Sequence, residues 1–299
     1  MKVEAGGRSI EVGNPGKVLF PESGITKADL VEYYRRIAEV MVPYVRSRPV
    51  TMHRFPDGVG APGFYQQDAP GHFPEWIRTV TVSTEEGDAT RVVCEDAATL
   101  VYLAEQACIT PHVWLSTVEH LDRPDRLVFD LDPPEGSGPA PVRSAAEATG
   151  ALLDDLGLRA GVMTTGSSGF HVVVPLDGVL GFDEVRDFAS RCARVLAARH
   201  PETLTVEHRI DRRAGRVFLD YLRNAYAQTT VAPYAVRGLS GAPVAAPIDW
   251  SELGTTEPQS YTVANIFRRL GQKQDPWSAE GIPGQALDDA RPGLARLEE

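Results

Sequence analysis

Two aspartates at the end of an apolar segment constrain this chain more than any other feature. Asp130 and Asp132 close residues 126–132, whose apolar residues favour a strand, and a Pro-Pro pair ends the segment directly afterwards. Because strand side chains alternate, both acids point to one face while the apolar residues pack behind them. Adjacent carboxylates repel each other unless a cation lies between them, and hard divalent ions prefer oxygen ligands. The motif alone leaves open a metal site, a sugar-nucleotide transferase motif and plain surface acids.

A turn and a third acid follow this strand in an informative order. Residues 164–171 form a Gly- and Ser-rich turn that ends on His171, and Asp220 lies in a second short apolar segment, residues 217–222. Paired acids, a phosphate-friendly turn with a histidine and then a single acid resemble the order in the archaeo-eukaryotic primase superfamily. The chain is still more similar to the polymerase domain of bacterial ligase D-type end-joining proteins, from about residue 16 to about residue 250.

The resemblance implies an α+β fold with an archaeo-eukaryotic primase-type polymerase core, in which a mixed β-sheet has flanking helices. We expect a single domain over residues 1–299: an N-terminal α/β portion, about 1–110, packed on a catalytic core, about 111–250, and a C-terminal extension, about 251–299. Periodicity and capping patterns predict helices at residues 27–43, 97–106, 142–156, 182–200 and 263–270. Residues 111–116 are predicted to form a strand next to the strand of Asp130.

The three acids carry the predicted chemistry. Nucleotidyl transfer needs an activated 3′-hydroxyl, an α-phosphate held in line and neutralisation of the departing pyrophosphate, and two metal ions about 4 Å apart supply most of this. The resemblance implies two such ions, Mn²⁺ or Mg²⁺, held by Asp130, Asp132 and Asp220. Asp130 and Asp132 would bridge the ions, and Asp220 would bind mainly the ion that contacts the primer hydroxyl.

The triphosphate of a nucleotide needs hydrogen-bond donors, and arginine matches phosphate oxygens with two parallel bonds. The turn offers backbone N–H groups and hydroxyls for this purpose. The predicted nucleotide-binding residues are His112, Thr165, Ser167, Ser168, Gly169, His171, Arg223 and Arg237. The resemblance puts His112 in the nucleotide pocket, where it is a candidate contact for a ribose 2′-hydroxyl, and a position in the core is the alternative.

The start of the first helix is the predicted phosphate site for DNA. Thr26 and Asp29 resemble a capping box, so the helix begins near Lys27, with free backbone N–H groups and the positive end of its dipole. The resemblance implies that Lys17 and Lys27 bind the 5′-phosphate on the far side of a gap or break. Two solvated lysines are the alternative.

An aromatic pair, Phe64 and Tyr65, follows the turn at residues 56–58. Because every base has a π-face, an aromatic side chain can stack on a template base regardless of sequence. The resemblance implies this role for the first aromatic residue, Phe64, and a core role for either aromatic is the alternative.

Composition limits what the chain can bind and where it works. The net charge of −11 argues against broad affinity for a polyanion, so any contact with nucleic acid must be local. The three cysteines have no CxxC spacing, so neither a disulfide framework nor a zinc site is suggested. No apolar run follows Met1, and no stretch approaches the roughly 20 apolar residues of a membrane span. We therefore expect a cytoplasmic, nucleoid-associated protein without membrane contact.

The sequence departs from the resembling family at two positions. Many relatives carry a lysine where Ser168 stands in the turn and another near Gln67. The absence of these two lysines removes positive charge from the active-site region. This affects the expected nucleotide affinity and DNA substrate rather than the acids, and it makes gap repair as plausible a role as end joining.

The function predicted from this resemblance is template-directed nucleotide addition, with ribonucleotides preferred, at gapped or broken DNA that carries a 5′-phosphate. The sequence has no Lys-x-Asp-Gly ligase motif, so a separate DNA ligase and a Ku-type end-binding protein are the expected partners beside NTP or dNTP. Three alternatives stay open: a primase that starts chains unprimed, a metal-dependent sugar-nucleotide transferase, and a non-catalytic DNA-end-binding module. A comparison of primed with unprimed templates tests the first alternative, and incubation with a labelled sugar nucleotide tests the second. The third predicts that Asp130→Ala behaves like the parent in repair assays.

Overall fold

The computed structural model describes residues 1–84, 87–277 and 283–299, which form both helices and strands. The helices are α1 (Lys27–Val45), α2 (Ala97–Glu105), α3 (Ala140–Asp155), α4 (Phe182–Arg199), α5 (Ile266–Gln272) and α6 (Ala290–Leu297). Short 3-10 helices lie at Ile210–Arg212, Leu222–Asn224 and Trp250–Glu252. Across those described ranges, none of the helices combines the length and the apolar character that crossing a membrane demands.

The strands lie between these helices along the whole chain. They are β1 (Lys2–Ala5), β2 (Arg8–Glu11), β3 (Val18–Phe20), β4 (Ile25–Thr26), β5 (Arg48–Arg54), β6 (Phe64–Gln66), β7 (Thr79–Thr84), β8 (Gly87–Cys94), β9 (Cys108–Trp114), β10 (Arg126–Asp132), β11 (Gly161–Thr164), β12 (Phe170–Pro175), β13 (Leu204–Thr205), β14 (Val217–Asp220), β15 (Thr229–Val231) and β16 (Pro247–Ile248). The predicted α+β class is confirmed.

The chain divides into two compact units, each assembled from separate segments. The first comprises Met1–Glu119, Thr229–Ala245 and Tyr261–Lys273, and the second comprises His120–Gln228, Ala246–Ser260 and Gln274–Glu299. The boundaries expected near residues 110 and 250 do not coincide with these units, because two later segments return to the first. Local composition carries no signal for such a return.

The first unit is built on a sheet with strand order β15-β9-β5-β8-β7, to which β6 adds by pairing with β5. Helix α1 begins with the predicted capping box: the backbone N–H of Asp29 donates to the Thr26 hydroxyl at 3.3 Å, and the N–H of Thr26 donates to the Asp29 carboxylate at 2.8 Å. Two buried tyrosines of α1, Tyr33 and Tyr34, donate from their hydroxyls to backbone carbonyls at 2.7 and 2.6 Å. These bonds fix the helix within the unit.

Helix α1 was expected to end or bend at Pro43, but it continues to Val45. Proline lacks the N–H that would bond to the carbonyl one turn earlier, so a helical bond is lost there. Val42 and Val45 on either side of the proline are buried. Their burial stabilises the last turn in spite of the missing bond.

The second unit is built on a mixed sheet with strand order β13-β14-β10-β12-β11-β16. The pair β13 and β14 is parallel, whereas β10 pairs antiparallel with both β12 and β14. Phe129 and Leu131 of β10 are fully buried, as the alternation of the strand predicts. Strand β10 is therefore central in this sheet, and its acids share the opposite face.

The strand predicted over residues 111–116 was expected to lie next to the strand of Asp130, and this is wrong. It corresponds to β9, which pairs with β5 and β15 in the first unit. Both neighbours of β10 come from later in the chain, β12 and β14. Every residue of β9 is buried, so its sequence lacks the alternation that distinguishes one sheet face from the other.

Candidate active site

The three predicted acids lie on adjacent strands of the sheet in the second unit. In the strand register, Asp130 on β10 is opposite Asp220 on β14 on one side and opposite His171 on β12 on the other. Asp132 is two positions further along β10 and therefore on the same face. Directly opposite residues of antiparallel strands have Cβ atoms about 4.5–5.5 Å apart. The structure thus brings Asp130, Asp132, Asp220 and His171 together.

Arg223 supplies positive charge to two of these carboxylates. Its Nε lies 3.2 Å from Oδ2 of Asp220 and 3.5 Å from Oδ2 of Asp130. On the other side, Nε2 of His171 lies 3.3 Å from Oδ1 of Asp130. The backbone N–H of Leu222 donates to Oδ1 of Asp220 at 2.9 Å. Two predicted nucleotide-binding residues, Arg223 and His171, are therefore in contact with the acids.

Burial makes the ionised acids costly in this position. Burial, together with the negative charges of Asp130 and Asp220, raises the pKa of Asp132 to about 6, and the nearby arginines offset only part of this rise. Burial also raises the pKa of Asp220, while the charge of Arg223 acts in the opposite direction. Both shifts mean that burial disfavours the charged form of each acid, and the negative charge of Asp130 adds to this cost for both. A cation among them would relieve this repulsion.

The acids fit a divalent cation by ligand chemistry. Carboxylate oxygens are the ligands that Mg²⁺ and Mn²⁺ prefer. As the side chains lie, no three His, Cys, Asp or Glu residues in the described part of the chain form a group that could hold a metal ion. The positive charge near Asp130 and Asp220 comes instead from Arg223. Metal ligation by Asp130, Asp132 and Asp220 stays a prediction.

The turn at residues 165–169 is held together by its own hydrogen bonds. The Thr165 hydroxyl accepts from the backbone N–H groups of Ser167 and Gly169, both at 3.2 Å, and donates to the carbonyl of Gly169 at 3.0 Å. The backbone N–H of Thr165 donates to the same carbonyl at 3.1 Å. Several donors that were predicted to face a phosphate are thus used within the turn. The hydroxyls on its accessible side are those of Ser167 and Ser168, of which Ser168 is exposed.

A cleft of about 850 Å³ opens in front of this turn. Its walls include Ser167, Ser168, the segment that follows the Pro-Pro pair, and the arginines Arg213 and Arg216. Phosphate oxygens accept hydrogen bonds from hydroxyls and guanidinium groups. Arg213 and Arg216 were not predicted from the sequence. The available signal was the concentration of arginines over residues 209–216.

The other two predicted nucleotide contacts, His112 and Arg237, lie in the first unit. His112 on β9 is opposite Thr51 on β5, and the ring of Tyr65 meets its ring edge-on at 5.5 Å between centroids. Tyr65 stacks on His53 at 4.1 Å. Burial lowers the pKa of His53, and the charge of Arg237 lowers it further.

His53 and Tyr65, whose rings lie next to that of His112, were not predicted as its neighbours. The signal that could have found them is the strand register, which sets His53 opposite Tyr65 across β5 and β6.

Lys17 and Lys27, the predicted 5′-phosphate residues, are neighbours in the first unit. The backbone N–H of Lys27 donates to the carbonyl of Lys17 at 2.8 Å, and that of Ala28 donates to the carbonyl of Pro15 at 2.9 Å. With the N–H of Asp29 bonded in the capping box, the expected free N–H groups at the start of α1 are not free. The prediction of a backbone phosphate pocket there is wrong, because the preceding loop folds back and takes these donors.

Both lysine side chains face carboxylates. Nζ of Lys17 lies 2.9 Å from Oδ1 of Asp57, and Nζ of Lys27 lies 3.6 Å from Oε1 of Glu105. Gly58 holds the Asp57 loop against β3, because its φ of +80° favours glycine and a Cβ would lie 2.8 Å from the carbonyl oxygen of Leu19. Any phosphate at this position must compete with two acids.

Phe64 starts β6 and is 46% exposed, so its ring is available to a partner. The guanidinium of Arg54 lies 5.7 Å from the ring centroid. Tyr65 points to the opposite face of the strand, toward His53. The exposed ring is compatible with base stacking, which stays a prediction.

The departure at Gln67 has a structural counterpart. The guanidinium of Arg91 donates to the Gln67 side chain at 2.9 Å and to Asp68 at 2.5 Å. Positive charge is therefore present beside Gln67, although Asp68 partly neutralises it. Arg91 was not identified from the sequence, because it reaches this position only through the pairing of distant segments.

Known proteins similar to this chain point to one family. The family described as LigD, primase-polymerase domain, matches residues 26–277. Curated relatives named multifunctional non-homologous end joining protein LigD are 35% identical over 89% of this chain in Mycolicibacterium smegmatis and 33% identical over 90% in Pseudomonas aeruginosa. The chain spans 35% and 32% of the length of these two relatives.

A solved structure agrees with these sequence matches. The polymerase domain from Mycobacterium tuberculosis ligase D, in complex with DNA, matches with a TM-score of 0.84 and 33% identity. The match covers 90% of this chain and 96% of that one. The resemblance drawn from the order of acids and turn, and the primase-type polymerase core that it implied, are confirmed.

Proposed function

Because this chain belongs to the LigD primase-polymerase domain family, we propose that it extends primer strands at broken DNA ends and short gaps under the direction of a template. Membership of this family implies a nucleotidyltransferase of the polymerase type. Preference for ribonucleotides and for DNA with a downstream 5′-phosphate are the finer parts of the proposal. The family match extends over segments of both units, which supports a single polymerase domain.

The observation that carries the proposal is the register of three strands in the second unit. It sets Asp130 opposite both Asp220 and His171, with Asp132 on the same face. Acids drawn from separate strands to one face, with a cleft beside them that serine hydroxyls line, suit a reaction that neutralises a polyphosphate. The same features favour a polymerase over a sugar-nucleotide transferase, whose motif accounts only for Asp130 and Asp132.

Asp130, Asp132 and Asp220 would hold the divalent ions, Mn²⁺ or Mg²⁺, two in number. When bound, such ions lower the pKa of the primer hydroxyl and neutralise charge on the phosphate oxygens. Arg223 already contacts two of the acids, so it is positioned to donate to a triphosphate beside them. His171, whose Nε2 lies 3.3 Å from Oδ1 of Asp130, would help to orient that carboxylate.

Nucleotide binding would use the donors that face the cleft. Ser167 and Ser168 offer hydroxyls there, while Thr165 and Gly169 shape the turn that presents them. His112 and Arg237 in the first unit complete the predicted set. A 2′-hydroxyl both donates and accepts hydrogen bonds, so a histidine is a suitable partner for it and would favour ribonucleotides.

DNA binding would use Lys17 and Lys27 for the 5′-phosphate and Phe64 for a template base. The relatives are named for non-homologous end joining, so a separate ligase activity and a Ku-type end-binding protein are the proposed partners. Work on chromosomal DNA would associate the protein with the nucleoid in the cytoplasm.

One extension assay tests the function. The substrate is a short primed gap with or without a 5′-phosphate on the downstream strand, supplied with ribo- or deoxyribonucleotides and with Mn²⁺ or Mg²⁺. We expect addition directed by the template, stimulated by the phosphate, faster with ribonucleotides and dependent on the metal. No extension under any of these conditions contradicts the proposal, and extension of an unprimed template would favour the primase alternative.

Replacing Lys27 by alanine is expected to lower the affinity for 5′-phosphorylated gapped DNA by about tenfold to a hundredfold, since a charge-assisted hydrogen bond contributes roughly 1.5–3 kcal/mol. Affinity for the same DNA with a 5′-hydroxyl should change little. Fluorescence anisotropy with both DNAs measures this. Lys2→Ala, an exposed lysine of β1, is the matched control and should bind both DNAs as the parent does. An equal loss on both DNAs would show that Lys27 contacts the backbone in general.

Replacing Phe64 by alanine is expected to weaken binding of gapped DNA by about fivefold to a hundredfold, because base–aromatic stacking is worth roughly 1–3 kcal/mol. Phe64→Trp keeps a π-face and should retain the parent affinity. An abasic template at the stacked position should bind parent and Phe64→Ala equally. If the parent binds a template with a base and a template with an abasic site equally well at every position, this role is ruled out.

A further inference from the structure

The ion pair between Lys27 and the acid that faces it is well enclosed. The Lys27 and Glu105 side chains are 12% and 14% exposed, and Nζ lies 3.6 Å from Oε1. A lysine that binds phosphate gains nothing from a carboxylate at this distance, since both anions compete for one cation. Glu105 therefore bears on how a phosphate is bound.

Glu105 is held in position by groups other than Lys27. It is the last residue of α2, and its Oε1 accepts from the backbone N–H of Gly13 at 3.4 Å. Its Oε2 accepts from the side-chain amide of Gln106 at 2.5 Å. The backbone carbonyl of Gln106 in turn accepts from Nε of Arg54 at 2.8 Å. The carboxylate thus has donors on both oxygens and does not depend on the lysine to keep its place.

Asp57, the acid that faces Lys17, differs in each of these respects. Its side chain is 79% exposed, and Lys17 is 38% exposed. Exposed ion pairs contribute roughly 0–1 kcal/mol and are screened by salt, so a phosphate displaces such a carboxylate at little cost. Of the two lysines, Lys27 is the one whose counter-charge stays when a phosphate arrives.

We propose that Glu105 is a specificity-determining residue that weakens and thereby limits the binding of the DNA 5′-phosphate at Lys27. The inference rests on the proposed function, in which Lys17 and Lys27 take this phosphate. A phosphate oxygen bonded to Nζ at about 2.8 Å lies within roughly 6.5 Å of Oε1, given the 3.6 Å between Nζ and Oε1. A terminal phosphate carries a charge of about −1.5 to −2 at neutral pH, so the fixed carboxylate repels it.

This repulsion has a use in gap filling. Once the last nucleotide is added, the product is a nick whose 5′-phosphate must become accessible to a ligating activity. A site that bound the phosphate with two unopposed lysines would retain that product. Glu105 keeps the affinity low enough for release, while the lysines keep the preference for a phosphate.

The test compares binding of one short gapped duplex that carries either a 5′-phosphate or a 5′-hydroxyl, at fixed low salt, by the full chain. Glu105→Gln keeps the size of the side chain and removes its charge. We expect it to bind the phosphorylated DNA about tenfold more tightly and the hydroxyl form within about twofold of the parent. In multiple-turnover gap filling it should release the nicked product more slowly than the parent does.

Two control variants remove one negative charge each. Asp57→Asn should tighten binding by less than about threefold, as expected for an exposed pair. Glu39→Gln, on the exposed face of α1, should leave both affinities unchanged.

Glu105→Asp retracts the carboxylate from Lys27 and should tighten binding by an intermediate factor. It also keeps the test decisive if Glu105→Gln does not fold.

The outcomes separate this inference from the proposed function. If the parent prefers the 5′-phosphate and Glu105→Gln binds it no more tightly, or more weakly, Glu105 only orients Lys27 and the inference is wrong. A parent that binds both DNAs equally would refute the phosphate role of the lysines themselves and the inference with it.

Discussion

Replacing Asp220 by asparagine is expected to slow nucleotide addition at a primed gap by about a thousandfold, the scale on which loss of one charge-stabilising group affects catalysis. Asparagine keeps an oxygen for the backbone N–H of Leu222 but brings no negative charge to a divalent ion. The fold should persist. Burial raises the pKa of Asp220, so the ionised acid destabilises the folded state above its ordinary pKa. Asp220→Asn should therefore not lower the melting temperature at neutral pH.

Single-turnover primer extension and thermal unfolding, run on the same preparations, measure the two effects. Asp154→Asn is the matched control, since it removes an exposed aspartate of α3 in the same unit, and we expect it to extend primers within about twofold of the parent. Binding of gapped DNA should be nearly unchanged in Asp220→Asn. If its extension rate stays within about tenfold of the parent, the acids of the second unit do not carry the reaction.

The chemistry of β10 could be predicted because it depends on local geometry. A strand has a side-chain period of two, so Asp130 and Asp132 had to share a face whatever the rest of the chain did. The convergence of Asp220 could not be derived in this way. It came from the order of motifs shared with a family, and the structure gives its physical basis as the register of β10 with β14.

The start of α1 shows where local patterns stop being informative. The capping box of Thr26 and Asp29 was predicted correctly because its partners are three residues apart. The acceptors of the Lys27 and Ala28 N–H groups lie in a preceding loop, and the partner acids Asp57 and Glu105 lie far along the chain. No capping rule contains that information, so these contacts could not be predicted from the sequence.

The negative charge is unevenly distributed between the two units. Acidic residues outnumber basic ones far more strongly in the second unit than in the first. A site that binds divalent cations tolerates this excess, whereas a surface that binds DNA backbone does not. The proposed DNA contacts Lys17, Lys27 and Phe64 all belong to the nearly balanced first unit. A net charge of −11 is thus compatible with local binding of nucleic acid.

Replacing Gly169 by alanine is expected to lower both stability and activity, because it forces the turn away from the acids. A Cβ at this position would lie 2.0 Å from the carbonyl oxygen of Leu131, well inside contact distance. Leu131 cannot move aside, since it is paired with Phe170 on one side and Leu219 on the other. We expect the free energy of unfolding to fall by about 3 kcal/mol. Primer extension should fall by at least about tenfold as Ser167 and Ser168 are displaced.

Chemical denaturation and single-turnover extension measure these losses, and a second glycine separates the turn from glycine replacement in general. Gly254 lies in the same unit, and a Cβ added there would meet no atom within 4 Å, so Gly254→Ala should change stability by less than about 0.5 kcal/mol. Thr165→Val removes the hydroxyl that bonds the N–H groups of Ser167 and Gly169 while leaving the glycine in place. It should lower the extension rate but lower the free energy of unfolding less than Gly169→Ala does, because it frees the turn without a clash. Parent-like extension in both turn variants would mean that the shape of the turn, and with it the cleft that it lines, is not used to position a nucleotide.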